Sequence, residues 1–158
     1  MNNYAFIDSQ NLSLSLRDCG WKIDWKKFYI YLREKHHVKC AYLFFGYLRS
    51  NEWFYKMLEK FGYKLIFKEI SNVKREIKGN IDAELVLQAM IDFWNYDEAV
   101  IITNDGDFSC LVRYLCKSRK LKCIVSPDIQ KCSMSLKKSA NGRICDISLL
   151  RNRLGRKK

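Results

Sequence analysis

The chain has 158 residues, 48% hydrophobic and 14% aromatic, with 29 Lys and Arg against 17 Asp and Glu for a net charge of +12. That length is one domain by the usual prior, and the apolar content is enough for a real core. No run approaches the ~18 apolar residues of a membrane span, and seven Gly with one Pro leave little room for a long flexible linker.

Residues 4–7 (Tyr-Ala-Phe-Ile) form an apolar run that stops at Asp8, and they read as a first strand. Residues 11–17 alternate apolar and polar and are assigned to helix or loop. Asp24 is a plausible N-cap for a helix over 25–34, with Phe28, Tyr31 and Leu32 at helical spacing. Residues 40–46 read as a buried strand. Residues 51–61 read as a helix stopped by Gly62. A strand is expected over 63–70, a basic loop over 71–79 and a helix over 82–94. The run 99–103 is a buried strand that ends in Asp105-Gly106-Asp107. A helix over 108–119, a strand over 121–125, a short helix over 133–139 and an apolar element over 144–150 complete the order. Strands alternating with helices imply an α/β three-layer sandwich with a mainly parallel central sheet. The chain lacks the Gly-rich loops of dinucleotide folds and P-loop NTPases. Residues 1–150 read as the single domain and 151–158 as a basic C-terminal tail.

The chemistry lies in the acids that end strands. Bare charge is costly to bury, so these carboxylates belong on the loop rim. In a doubly wound sheet the first strand and the strand after the reversal are neighbours, and their carboxyl ends flank a crevice. Asp8, Asp105 and Asp107 are expected there, with Asp82 arriving from the loop side. Carboxylates held together repel unless they share a proton or a cation, and oxygen ligands suit Mg²⁺ or Mn²⁺. Each acid also has an ordinary reading: Asp82 and Asp8 as helix caps, Asp105 and Asp107 as turn residues. Glu84 and Asp92 are expected on the surface.

Residues 131–158 carry nine Lys or Arg and one acid, Asp146. A basic pole favours a polyanion partner, solubility being the plainer alternative for the last eight residues. Lys74, Arg75 and Lys78 before Asp82, and Lys137, Lys138 and Arg143 in the basic pole, are the candidate nucleic-acid contacts. Trp53, Phe54 and Tyr55 read as core packing, whereas Trp21 and Trp25 are less clearly inward. His36 and His37 sit in a Lys-rich turn and are expected in solvent. The seven Cys show no Cys-x-x-Cys spacing, which favours buried free thiols in a reducing compartment over a zinc site. The first residues lack the basic region of a signal peptide, so a cytoplasmic protein is expected.

Three segments together resemble the NYN domain family, the LabA-like branch of the PIN-like nucleases. They are Phe6-Ile7-Asp8-Ser9-Gln10-Asn11-Leu12, Lys78-Gly79-Asn80-Ile81-Asp82 and Thr103-Asn104-Asp105-Gly106-Asp107-Phe108. The resemblance covers nearly the whole chain. It implies a PIN-like sheet, a metal held by Asp8, Asp82, Asp105 and Asp107, and cleavage of RNA, single-stranded or structured. Asn11 would orient a metal-bound water or the first Asp. PIN-like domains often pair, which leaves a homodimer open. The chain departs from the family at Thr103-Asn104, where Ser-Gly is common, and in the residue added before Asp82. It also has Gln88 where many members carry a further acid, which favours the alternative of a catalytically weak RNA-binding module. A phosphotransferase of the haloacid-dehalogenase kind fits less well, because Gln10 stands where its second acid belongs.

Overall fold

The computed structural model describes residues 1–68 and 81–157. Strand β1 (Asn3–Asp8) leads directly into helix α1 (Ser9–Asp18), and α2 (Trp25–His36) precedes β2 (Val38–Gly46). Helix α3 (Glu52–Phe61) and β3 (Lys64–Lys68) follow, then α4 (Asp82–Ile91) and β4 (Ala99–Ile102). The chain continues through α5 (Ser109–Lys117), β5 (Leu121–Ser126), α6 (Met134–Ala140), β6 (Ile144–Asp146) and α7 (Arg151–Leu154). The six strands form one sheet in the order β3-β2-β1-β4-β5-β6, and every pairing is parallel. Parallel strands need both faces covered, and the alternation along β1 shows how this is met. Ala5 and Ile7 pack into a core with α1, α2 and α7, while Phe6 packs into a second core with α4, α5 and α6. The chain is therefore an α/β three-layer sandwich.

Local chemistry explains the helix ends. Asp24 caps α2 by accepting a hydrogen bond from the Lys27 amide at 3.1 Å. Gly62 ends α3 at φ 114°, a left-handed conformation that favours glycine. The alternating segment after Asp8 is helical because Leu12 and Leu16 fall on one fully buried face.

Several expectations about individual side chains fail. His37 is exposed as expected, but His36 is buried, its Nδ1 3.6 Å from Cys123 Sγ and its Nε2 3.4 Å from the Tyr31 hydroxyl. It closes the inward face of α2, and burial holds its imidazole down to about 4. Asp92 is also buried. Its carboxylate accepts hydrogen bonds from the Tyr42 hydroxyl (2.7 Å), Gln88 Nε2 (2.8 Å) and Asn95 Nδ2 (3.2 Å). Trp21 and Trp25 are core residues, whereas Trp53 is 77% exposed. On α3 the inward face is taken by Tyr55 and Leu58, and Trp53 falls off it. Residues 151–157 carry exposed basic side chains on an anchored backbone. Leu154 is buried and Gly155 bridges antiparallel to Ile23, so ordered contacts run past residue 150. Among the described residues no helix is long and apolar enough to cross a membrane.

Candidate metal centre

All six strands run the same way, so their carboxyl ends share one edge of the sheet. The chain leaves β1 toward β2 on one side, while β4 lies on the other. The crevice between β1 and β4 is the switch point where open α/β sheets place ligands. Asp8 ends β1 at this crevice and is 6% exposed. Its Oδ1 accepts a hydrogen bond from the Asn11 amide (3.2 Å), which caps α1, and its Oδ2 accepts one from the Thr103 hydroxyl (3.1 Å). Thr103 Oγ1 in turn accepts a hydrogen bond from the Asp105 amide at 3.1 Å. The strand-end acids of β1 and β4 are thus tied through one hydroxyl.

Asp105 caps a short 3-10 turn over Gly106–Phe108 by accepting from the Asp107 amide at 2.9 Å. Gly106 is required by close approach, since a Cβ would lie 2.5 Å from Ser133 Oγ and 2.9 Å from Ser135 Oγ. Asp82 is the first residue of α4, whose N-cap position is Ile81. Asp82 is therefore not the helix cap, and its carboxylate is directed into the cluster.

Asp8, Asp82 and Asp105 each bring a carboxylate oxygen to within 4.8 Å of the others. Asp107 is exposed at the rim beside Asp82. Burial is the main cause of a raised Asp82 carboxyl, pushed up to about 6, with Asp105, Asp8 and Asp107 adding repulsion. Burial also raises Asp8, against the hydrogen bonds from Asn11 and Thr103 that favour its charged form. Oxygen donors this close suit a hard divalent cation.

The other expected site residues divide. Asn11, expected to orient a metal-bound water or the first Asp, meets Asp8 through its backbone amide. Its Oδ1 accepts a hydrogen bond from the Asn104 amide at 2.8 Å, fixing the loop that carries Asp105. Lys74, Arg75 and Lys78 lie outside the described residues. Lys137 and Lys138 belong to α6, whose leading residues Ser133 and Ser135 abut Gly106. Arg143 is at the opposite edge. It precedes β6, donates to the Leu121 carbonyl at 2.9 Å and pairs with Glu98 at 3.8 Å, so it stands at the amino ends of the strands. Thr103 and Asn104 are further working parts of the site. Asn104 Oδ1 accepts from the Ser126 hydroxyl at 2.5 Å, and its carbonyl accepts from the Ser133 amide at 3.1 Å. Their place directly after a buried strand was the available signal. Gln88 Nε2 donates to the Asp92 carboxylate at 2.8 Å. Elsewhere, His36, Cys123 and Cys145 bring one donor atom each within 4.8 Å, an approach the scattered cysteine spacing does not reveal.

The domain is a parallel α/β sandwich whose acids converge at its switch point. Residues 4–149 match the NYN domain, and the chain belongs to that family, whose fold is a PIN-like nuclease fold. It is 25% identical over 134 residues to the low amplitude and bright protein LabA of Synechococcus elongatus, covering 78% of this chain and 72% of that one. Its fold is similar to the crystal structure of a Vibrio parahaemolyticus protein of unknown function, with TM-score 0.79, 20% identity and 92% of each chain covered.

Proposed function

We propose that this protein is a divalent-metal-dependent endoribonuclease. The observation that carries the reading is the convergence of Asp8, Asp82 and Asp105 oxygens within 4.8 Å at the switch point. These residues, with Asp107 at the rim, would hold Mg²⁺ or Mn²⁺. When bound, such an ion supplies a Lewis acid and an activated water for phosphodiester hydrolysis. The chain's own contribution is positional. Asn11 and Thr103 hold Asp8 and the Asp105 loop in register. Lys74, Arg75 and Lys78, together with Lys137 and Lys138 on the helix behind Gly106, would contact the RNA backbone, which positions a strand without reading it. Arg143 is not included, because it is engaged at the other end of the sheet.

A second reading, an RNA-binding module with little turnover, is favoured by one observation. Gln88 faces Asp92 and Tyr42 instead of adding a fourth carboxylate to the cluster. A cleavage time course on labelled single-stranded RNA, in Mn²⁺, Mg²⁺ or chelator, separates the two for wild type and Asp105→Asn. Metal-supported cutting that Asp105→Asn loses while keeping its fold is expected. Cutting in excess chelator, or by Asp105→Asn at the wild-type rate, would overturn the nuclease reading. RNA bound and left intact in every metal would select the binding module.

A further inference from the structure

A groove of about 490 Å³ lies between α1 and α3. Both helices start at the carboxyl edge of the sheet, α1 directly after Asp8 and α3 after the turn that follows β2. Leu14 in the groove is six residues beyond Asp8, roughly 9 Å along the helix axis at about 1.5 Å per residue. Trp53, the second residue of α3, is 77% exposed and lines the groove with Phe54, Met57 and Leu14.

The flanks are cationic. Arg17, Lys22 and Arg156 line the same groove, and the acid beside them is Asp24. Asp24 is already engaged as the cap of α2. An apolar aromatic surface edged by three cations suits a ligand with flat faces and a negatively charged connecting chain. An apolar helix or a second copy laid here would desolvate those cations without supplying anions, which is costly. Unstacked nucleobases on a phosphodiester backbone satisfy both halves of the surface, because every base has a face to stack on an indole. Bases inside a duplex already have stacking partners and cannot use it.

Resting on the ribonuclease reading, we infer that this groove binds unpaired bases of an RNA strand whose backbone continues into the Asp8, Asp82 and Asp105 centre.

The test is fluorescence anisotropy of a labelled oligouridine and of a labelled RNA duplex, in chelator so that neither is cut. Wild type, Trp53→Ala, Trp53→Phe and Arg156→Ala are compared across a salt series. Trp53→Ala is expected to weaken oligouridine binding about 5- to 100-fold, the loss of stacking for one base, and to leave duplex binding unchanged. Trp53→Phe retains most of the affinity. Arg156→Ala lowers the slope of log affinity against log salt by about 0.7, one phosphate contact to a single strand. Trp53→Ala binding oligouridine as tightly as wild type would overturn the inference. So would a fall in sedimentation coefficient from dimer to monomer in Trp53→Ala with RNA affinity unchanged, which would make the groove an interface between copies. The two proposals fail separately. Metal-supported cleavage with an indifferent Trp53 removes the groove alone. Weakened oligouridine binding with no cleavage removes the nuclease alone.

Discussion

Asn11 Oδ1 and the Asn104 amide are joined by a 2.8 Å hydrogen bond that spans the crevice between β1 and β4. The Asn11 amide meanwhile donates to Asp8. One residue therefore fixes both acid-bearing loops, with its backbone holding the first acid and its side chain holding the second loop.

Asn11→Ala leaves the part-buried Asn104 amide without its acceptor. Such a group costs about 1–3 kcal/mol. The variant is expected to unfold earlier in urea by that amount. Its cleavage is expected to fall further than its stability, because Asp105 loses its register. Unchanged urea unfolding would show that this bond does not hold the loop.

The acid cluster predicts an inverted pH dependence of stability in the absence of metal. Asp82 in the folded protein is raised to about 6, above its ordinary value of 3.8. The folded state therefore binds the proton more tightly than the unfolded chain. The stabilising contribution is full below pH ~4 and is lost as pH rises through about 6. Asp82→Asn should stabilise the metal-free protein at pH 7 by about 1 kcal/mol, once solvent screening of this partly exposed group is allowed for. It should give no gain at pH 4. Thermal unfolding at the two pH values measures this, and equal effects at both would refute it.

Gln88 is not a vacant place awaiting an acid. Its Nε2 donates to the buried Asp92 carboxylate at 2.8 Å, which also accepts from Tyr42. Burial alone would raise Asp92, but these hydrogen bonds outweigh it and hold the carboxyl below its ordinary value. Gln88→Glu removes the donor and sets a second negative charge against the first. It is expected to destabilise by about 1–3 kcal/mol and to leave metal-supported cleavage no faster. A rise in cleavage rate with unchanged urea stability would show that an acid at 88 reaches the centre.

Gly106 sits where a side chain has no room. A methyl group there meets Ser133 and Ser135 at 2.5 and 2.9 Å. Gly106→Ala should cost about 1–3 kcal/mol of overpacking, and Ser133→Gly in the same chain should restore part of it. A lack of rescue in thermal unfolding would place the strain elsewhere.

The strand-end acids were legible in the sequence for a plain reason. A short β-branched run such as Val100-Ile101-Ile102 cannot continue through a charge, so Asp8 and Asp105 mark the rim. Caps at Asp24 and Gly62 were legible because their signals are local. Parallel order also followed, since strands alternated with helices, and the crevice between β1 and β4 followed from that order. What the tertiary structure alone decided is which face of each helix turned inward and which end of the sheet each loop reached. His36 is buried because Tyr31 and Cys123 enclose it, and Trp53 is exposed because Tyr55 and Leu58 take the inward face of α3. Arg143 stands far from the acids because it precedes a strand instead of following one. Local pattern determines an element's type, but contacts between residues distant in sequence determine its orientation, and those arise only when the sheet assembles.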